Sequence, residues 1–337
     1  DHSGLIPYLF KFGYTGPVYC TYPTRDVMAL LQLDMVKIQR AEGKEPIYTS
    51  DEVRQMVMNT ICLDYDEVTD ITPDIRLTMY NAGHILGSSI VHFNIGNGLH
   101  NFAYTGDLKY GRTNVLEPGN TQFPRIETLM IEATYGGKDN IANEKEADDY
   151  MIEVIKKTFA RGGKVLMPVL GSGRAQEVMV IVERLIREKK VPTANVFIDG
   201  MLWDITAIHT AYPEYLNRNL RQEIFHKGNN PFLSPLFKRV GSHKERQEII
   251  HDGTPALILA TSGMMSGGAS VEYFKQLASN KNNSIIFSCY QPPGSLGHRI
   301  RAGASEVMFG DGGKKDVVAV NMEVHKIEIT DHSDRRQ

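Results

Sequence analysis

The sequence predicts an α/β protein, because strand-like and helix-like segments alternate along most of its 337 residues. Short apolar or alternating runs each end in a small or acidic residue, which is typical of buried strands that lead into loops. These runs are RLTMYNAG, HNFAYTGD, TLMIEATYG, KVLMPVLG, NVFIDG, ALILATSG and SIIFSCY. Apolar residues recur at three- and four-residue spacing in NEKEADDYMIEVIKKTFARGG and GRAQEVMVIVERLIREKK, which predicts two amphipathic helices.

The order of these segments predicts two domains. Residues 70–110 read as a strand meander, whereas residues 145–310 repeat the order strand, glycine loop, helix, which predicts a parallel sheet. The change suggests a boundary near the segment YGGKDN. A chain of this length also exceeds the usual size of a single domain.

The composition narrows the class of protein. Apolar residues make up 42% of the chain, and the formal charge of -3 provides no global basic field that would attract nucleic acid or an anionic membrane. Any polyanion must therefore be held by local groups. Cys20, Cys62 and Cys289 lie far apart without CxxC spacing, which favours a reduced intracellular compartment and packing roles. No apolar run approaches the roughly 20 residues that span a bilayer, so we expect a soluble, cytoplasmic protein without membrane partners.

Several residues of metal-ligand type lie near predicted strand ends. Asp1 and His2 open the chain, His84 lies between glycines in NAGHILGSS, and Asp107 ends a strand in YTGDLKYGR. A strand-end carboxylate can bridge two cations, since neighbouring strands deliver other ligands to the same sheet edge. Taken singly, such an Asp is more often a turn or cap residue, and such a His is more often a hydrogen-bonded loop residue.

Three glycine-containing loops follow predicted strands and fit phosphate binding, because their backbone amides can approach an anion closely. Their candidate residues are Gly171, Ser172, Gly173 and Arg174 in GSGRAQE, Ser262 and Gly263 in TSGMMSGG, and Gly294, Ser295 and Gly297 in PPGSLGHR. The alternative interpretation is a set of helix caps and tight turns.

The order of these motifs resembles the metallo-β-lactamase superfamily. Asp1 and His2 look like the last two residues of its His-x-His-x-Asp-His motif, and GHILGS, TGD and Glu132 in IEATYGG follow in the expected order. Three further segments resemble the β-CASP nucleases: RGGKVLMPVLGSGRAQEVM, ILATSGMMSGGASVEYFKQLA and FSCYQPPGSLGHRIRAG. Their amino-acid sequences are similar to those of archaeal cleavage and polyadenylation specificity factor endoribonucleases. The resemblance implies a metallo-β-lactamase αββα sandwich with an inserted β-CASP α/β domain.

The resemblance also implies roles for individual residues. Asp1 and His2 would bind one zinc ion and His84 a second, while Asp107 would bridge the two. Asp1 would also belong to the catalytic residues, together with Glu132 of the first β-CASP motif and His332 of the second, in TDHSDRRQ. Glu132 and His332 could orient a proton donor for the leaving oxygen. Asp331 departs from the family pattern, which has a small residue before this histidine.

We therefore expect residues 1–137 to form the first part of a metallo-β-lactamase domain, 138–317 a β-CASP domain, and 318–337 a return to the first domain. The implied function is a zinc-dependent endoribonuclease that cleaves single-stranded RNA by two-metal phosphodiester hydrolysis, in RNA 3′-end processing or transcription termination. Two alternatives stay open: an RNase J-like or DNA-processing nuclease of the same superfamily, and a catalytically inactive RNA-binding paralogue.

The resemblance further implies contacts with the transcription or RNA-processing machinery, and leaves open a homodimer formed through segments outside this sequence. The two histidines that would begin the metal motif and the N-terminal RNA-binding domains of archaeal members are not in the sequence. We therefore expect the site formed by these 337 residues to be incomplete, with weak zinc binding and slow cleavage.

Overall fold

The computed structural model describes residues 2–139, 144–310 and 316–337. The chain divides into two compact units. The first comprises Asp1–Gly137, Ile208–Arg221 and Asp331–Gln337, and the second comprises Lys138–Ala207 and Gln222–Thr330. Both units combine helices with sheets, which confirms the predicted α/β class.

The first unit begins with helices and a parallel strand pair and continues into a five-stranded sheet. Its elements are α1 (Ile6–Lys11), β1 (Val18–Cys20), α2 (Tyr22–Ala41), α3 (Ser50–Met58), β2 (Thr60–Cys62), β3 (Val68–Thr72), β4 (Ile75–Asn81), β5 (Ser89–Ile95), β6 (His100–Tyr104) and β7 (Thr128–Met130). The sheet order is β3-β4-β5-β6-β7, with β3 to β6 antiparallel and β7 parallel to β6. This arrangement confirms the meander predicted for residues 70–110.

Local sequence explains where these elements begin and turn. Helix α3 starts with a capping box, in which Thr49 and Glu52 satisfy each other's backbone amides. Strand β4 buries Leu77 and Met79 on one face, as alternation of side chains requires.

Strand β7 differs from the prediction that all the apolar runs are buried. Leu129, Met130 and Ile131 are each more than half exposed. The reason is position, because within the described residues β7 lies at the edge of the sheet and pairs only with β6. An apolar run alone does not distinguish an edge strand from a central strand.

The second unit is built on a six-stranded parallel sheet flanked by helices. Its elements are α4 (Glu144–Ala160), β8 (Val165–Pro168), α5 (Arg174–Arg187), β9 (Asn195–Asp199), α6 (Leu202–Ala211), α7 (Arg218–Lys227), β10 (Phe237–Val240), α8 (His243–His251), β11 (Ala256–Ala260), α9 (Ala269–Leu277), β12 (Ser284–Phe287), α10 (Leu296–Arg301), β13 (Glu306–Phe309), β14 (Asp316–Ala319) and β15 (Glu323–Lys326). Two short 3-10 helices occupy Pro213–Tyr215 and Pro231–Leu233, and the division between the units falls within α6 and α7. The sheet order is β10-β9-β11-β8-β12-β15, which confirms the predicted parallel sheet. Strands β13 and β14 form a separate antiparallel pair.

The expected return to the first domain at residue 318 needs correction. Strand β15 pairs in parallel with β12 over four residues and completes the sheet of the second unit. The chain therefore rejoins the first unit only at Asp331. The pattern of a short apolar strand is the same in either domain, so the sequence of this strand could not assign it.

A second correction concerns residues 208–221, which we expected within the inserted domain. They belong to the first unit. The Tyr212 hydroxyl donates to Asp26 Oδ2 at 2.6 Å, and the Asn217 amide donates to the Val115 carbonyl at 2.9 Å. These hydrogen bonds join residues that lie far apart in the chain, so local sequence features do not predict them.

Within the described residues, none of the helices combines the length and the apolar character required to cross a bilayer.

Candidate functional site

The predicted site residues fall into two groups. One group, the carboxylate–histidine cluster, lies in the first unit and consists of His2, His84, Asp107, Glu132 and His332. The other, the three-loop edge, lies in the second unit and consists of the loops that follow β8, β11 and β12. Asp1, predicted as a ligand and catalytic residue, lies outside the described residues.

Asp107 lies between two histidines of the cluster. Its Oδ2 atom is 3.3 Å from His2 Nε2 and 3.7 Å from His84 Nε2. The residue follows the end of β6, where Gly106 adopts a φ of +54° that favours glycine. The strand end and the glycine turn together bring the carboxylate to the edge of the sheet, as the sequence predicts for a strand-end ligand.

His84 has a fixed ring orientation. It is 7% exposed, and its Nδ1 atom lies 2.8 Å from the Asp331 carbonyl oxygen. Because a carbonyl can only accept, Nδ1 carries the proton, and Nε2 presents its lone pair towards Asp107. The preceding Gly83 has a φ of +70° and packs so closely on the Lys109 carbonyl that a Cβ atom would lie 2.4 Å from it. A glycine is therefore required where the histidine loop approaches the Lys109 backbone.

Glu132 and His332 form a direct pair. His332 Nδ1 lies 2.8 Å from Glu132 Oε1, and the same carboxylate accepts hydrogen bonds from the amides of Leu108 and Thr134. Burial raises the pKa of the Glu132 carboxyl, but these hydrogen bonds outweigh burial and hold the pKa below its usual value. The ionised carboxylate accepts from Nδ1–H of His332, which fixes the orientation of the imidazole.

The segment that carries His332 is held at several points. Lys109 Nζ donates to the His332 carbonyl at 3.0 Å, and Ser333 bonds the Leu108 carbonyl and the Tyr110 amide. Lys109, which is only 7% exposed, was not among the residues predicted for the site. Its position two residues after Asp107 in TGDLK was the available signal, although a lysine beside a turn normally indicates a solvated surface.

The donors of the cluster fit a metal ion such as zinc. One donor atom from each of His84, Asp107 and His332 can be chosen so that all lie within 4.8 Å of one another. Two ligand atoms bound to one tetrahedral zinc ion lie about 3.4 Å apart. The separations of 3.3 and 3.7 Å at Asp107 bracket this value. The hydrogen bond from His84 Nδ1 to a carbonyl is also the arrangement that orients a metal-ligating imidazole.

The three-loop edge arises because β11, β8 and β12 are adjacent and parallel, so their carboxyl ends meet. The loops contact one another directly. A Cβ atom on Gly263 would lie 2.6 Å from the Leu170 amide and 3.0 Å from Cys289 Sγ. Gln291 is 2% exposed, and its side-chain amide donates to the Gly263 carbonyl at 2.8 Å. The predicted loops are therefore brought together within the second unit.

Several predicted phosphate ligands have structural partners within this edge. Ser295 is the N-cap of α10, where it accepts from the His298 amide. Ser262 Oγ accepts from the Ser266 amide at 2.9 Å. Gly297 allows close packing, since a Cβ atom there would lie 1.7 Å from Gln291 Oε1. These contacts match the alternative interpretation of the loops as caps and turns.

Arg174 also differs from the expectation of a phosphate ligand. It is 6% exposed, and its guanidinium group donates to the Ser288 carbonyl. The arginine therefore ties the start of α5 to the loop after β12. A GSGR sequence predicts that the arginine begins a helix, but it does not predict which way the side chain turns.

The remaining loop residues leave room for a ligand. Gly173 has a φ of +77° at the N-cap of α5, and Gly294 has a φ of +81° with open space around its Cβ position. Gly171 has only side-chain contacts at 3.8 Å or beyond. Within the described residues, the Ser172 hydroxyl is buried without a hydrogen-bond partner.

Comparisons with known proteins agree with this architecture. The family described as the Beta-Casp domain matches residues 175–300. The chain is 54% identical over 341 residues to the "Transcription termination factor FttA" of Pyrococcus abyssi, a match that covers 100% of this chain and 52% of that protein. Proteins of the same name from Methanocaldococcus jannaschii and Lokiarchaeum are 52% and 47% identical over 340 residues, covering 100% of this chain and 54% and 53% of those proteins. The chain thus spans about half the length of the curated relatives it matches.

The matched domain and the two α/β units confirm both the predicted resemblance and the predicted fold. Residues 175–300 thus match the Beta-Casp domain, and the whole chain is similar to archaeal proteins named transcription termination factor FttA.

Proposed function

We propose that the protein is a zinc-dependent endoribonuclease that cleaves single-stranded RNA, and that it acts in transcription termination or RNA 3′-end formation. The observation that carries the proposal is the carboxylate–histidine cluster, with Asp107 between two imidazoles and Glu132 bonded to His332. The name of the relatives, a transcription termination factor, supports the process.

Asp1, His2, His84 and Asp107 are the residues that would hold the zinc. When bound, zinc would supply Lewis-acid stabilisation of negative charge on the phosphodiester and lower the pKa of the attacking water. The protein contributes orientation, because the fixed tautomer of His84 points its Nε2 lone pair towards Asp107. Pre-set donors lose little entropy on binding an ion.

Glu132 and His332 are the proposed proton-transfer pair. An ionised Glu132 stabilises the imidazolium form of His332, and Nε2–H of that ring can then donate to the leaving oxygen of the cleaved RNA strand. The amides of Leu108 and Thr134 hold the carboxylate in place, so the imidazole is oriented before RNA arrives.

The three-loop edge is the proposed contact with the RNA backbone. Gly294 has open space around its Cβ position, and Gly171 and Gly173 are half-buried, so the backbone at these glycines could approach a phosphate. Within the described residues, the buried Ser172 hydroxyl between Gly171 and Gly173 has no hydrogen-bond partner. Local amides can bind phosphates without a basic protein, which suits a chain with a net charge of -3. Arg174 supports the edge from inside instead of contacting phosphate.

The test compares Asp107→Ala with Asp70→Ala in the protein at its natural length. Asp70 is a matched control, because its side chain is 75% exposed and pairs with Arg76 in place of a histidine. We expect Asp107→Ala to lose bound zinc, measured by mass spectrometry of the metal, and to cleave single-stranded RNA at least 100-fold more slowly. The control should keep both properties. Equal zinc content in the two variants would reject the proposed ligands, and cleavage of single-stranded DNA in place of RNA would favour the DNA-processing alternative.

A further inference from the structure

Tyr290 is an exposed aromatic residue within the three-loop edge. It follows the fully buried strand β12 and is 57% exposed. Within the described residues, its side chain has no hydrogen bond and no ring contact. A single exposed aromatic residue is ordinary on a protein surface, so its significance depends on how it is held and on what surrounds it.

The backbone on both sides of Tyr290 is fixed. Cys289 is 5% exposed and its Sγ atom contacts the Pro168 carbonyl oxygen at 3.9 Å. Gln291 is 2% exposed and bonds the Gly263 carbonyl of the neighbouring loop. The tyrosine therefore stands between two anchored residues, and its ring is presented to solvent from a rigid support.

The loop after Tyr290 is also stiff. Pro292 and Pro293 restrict the backbone, and the Ser295 amide closes a turn onto the Pro292 carbonyl at 3.0 Å. A ring on such a support loses little conformational entropy when another flat group packs on it.

The surroundings leave the ring accessible and add positive charge. The adjoining loops consist mostly of glycines and serines, and of the two methionines after β11, Met265 is buried and Met264 is half-buried. Helix α10, which begins at Leu296, carries the exposed side chains of His298 and Arg299 close in sequence to Tyr290. A basic side chain beside an exposed aromatic ring is a combination by which proteins bind single-stranded nucleic acid.

We propose that Tyr290 is a stacking platform for one nucleobase of single-stranded RNA, a role that rests on the proposed function and makes it more specific. The ring would contact the face of the base while the loop amides bind the adjoining phosphates. Because every base has a π face, this subsite would accept RNA without sequence preference.

The test measures RNA affinity by fluorescence anisotropy with a labelled 12-nucleotide RNA and a chelator that prevents cleavage. The variants are Tyr290→Ala, Tyr290→Phe and, as a control, Phe225→Ala, which removes an aromatic residue that is 60% exposed outside the three loops. For every variant, the affinity for this RNA is compared with the affinity for an abasic strand, which has the same sugar-phosphate backbone but no bases. We expect Tyr290→Ala to weaken binding of normal RNA about 5-fold or more. Tyr290→Phe and Phe225→Ala should bind like the wild type.

On the strand without bases, wild type and Tyr290→Ala should bind equally, and the wild type should bind that strand more weakly than normal RNA. The last comparison needs no variant, so it holds even if a substitution impairs folding. Unchanged affinity of Tyr290→Ala for normal RNA, or an equal loss on both strands, would overturn the stacking role while leaving the proposed function intact. A wild type that binds neither strand would refute both proposals.

Discussion

His332 Nδ1 lies 2.8 Å from Glu132 Oε1, although 200 positions separate the two residues in the chain. The Glu132 carboxylate also accepts a hydrogen bond from the Leu108 amide, and the Lys109 ammonium group donates a hydrogen bond to the His332 carbonyl. Both residues of the pair are thus attached to the turn that presents Asp107. Any shift of this turn would move the metal-ligand candidate and the proton-transfer pair together.

Glu132→Gln should lower RNA cleavage about 100-fold or more, because a neutral amide cannot stabilise the imidazolium of His332. The amide oxygen can still accept from Leu108, whereas the amide nitrogen cannot accept from Thr134, so the unfolding free energy should fall by about 1 kcal/mol while RNA affinity changes little. Single-turnover cleavage and equilibrium RNA binding, measured on the same preparation, separate these effects.

The control is Glu127→Gln. The Glu127 carboxylate also accepts a hydrogen bond from a backbone amide, that of Asn101 at 2.7 Å, but it does not contact a histidine of the cluster. The control should cleave like the wild type. Equal cleavage by both variants would exclude Glu132 from the reaction.

Arg174→Ala should reduce stability without changing how RNA binding depends on salt. The substitution removes a buried guanidinium group and leaves the Ser288 carbonyl without the hydrogen bond that it accepts from Arg174. This loss should lower the unfolding free energy by about 1–3 kcal/mol. A residue that contacts phosphate would instead change the slope of log affinity against log salt by about 0.7.

Arg299→Ala gives the opposite expectation, since this arginine is exposed on α10. It should keep the unfolding free energy and make RNA affinity less dependent on salt. A reduced salt slope for Arg174→Ala would restore its role as a phosphate ligand.

Arg246→Ala should destabilise the second unit by about 3 kcal/mol, because it breaks a largely buried ion pair. Arg246 Nε and one terminal nitrogen lie 2.8 and 2.9 Å from the two carboxylate oxygens of Asp199, at the end of β9. Tyr273 donates to the same carboxylate at 3.0 Å, so the substitution would leave a buried charge held by a neutral hydroxyl in place of a guanidinium group.

Arg239→Ala is the matched control, since its contact with Asp204 is 3.9 Å long and both side chains are about half exposed. Its effect on unfolding by urea should stay below about 1 kcal/mol. Similar effects of the two substitutions would show that the Asp199 pair contributes no more than a surface contact.

The sequence predicted the strands and their end loops well, because buried apolar runs and glycine turns are local signals. It also predicted that Asp107 and His84 come together, since both lie where strands end. It could not predict that Arg174 turns inward, because the partner that decides this, the Ser288 carbonyl, lies 114 positions away. The predicted end of the inserted domain was wrong for the same reason, because the pairing of Glu323–Lys326 with β12 decides which sheet that strand joins.

The chain order of the two units has a consequence for protein synthesis. Glu132 precedes the second unit, whereas His332 follows it. A ribosome adds roughly 5–20 residues per second, so the imidazole emerges about 10–40 seconds after the carboxylate. During that interval the nascent chain can complete the three-loop edge before it possesses the proposed proton donor. With the proposed function, the growing protein would therefore gain its RNA-binding loops before its proton donor, so that binding would precede cleavage during synthesis.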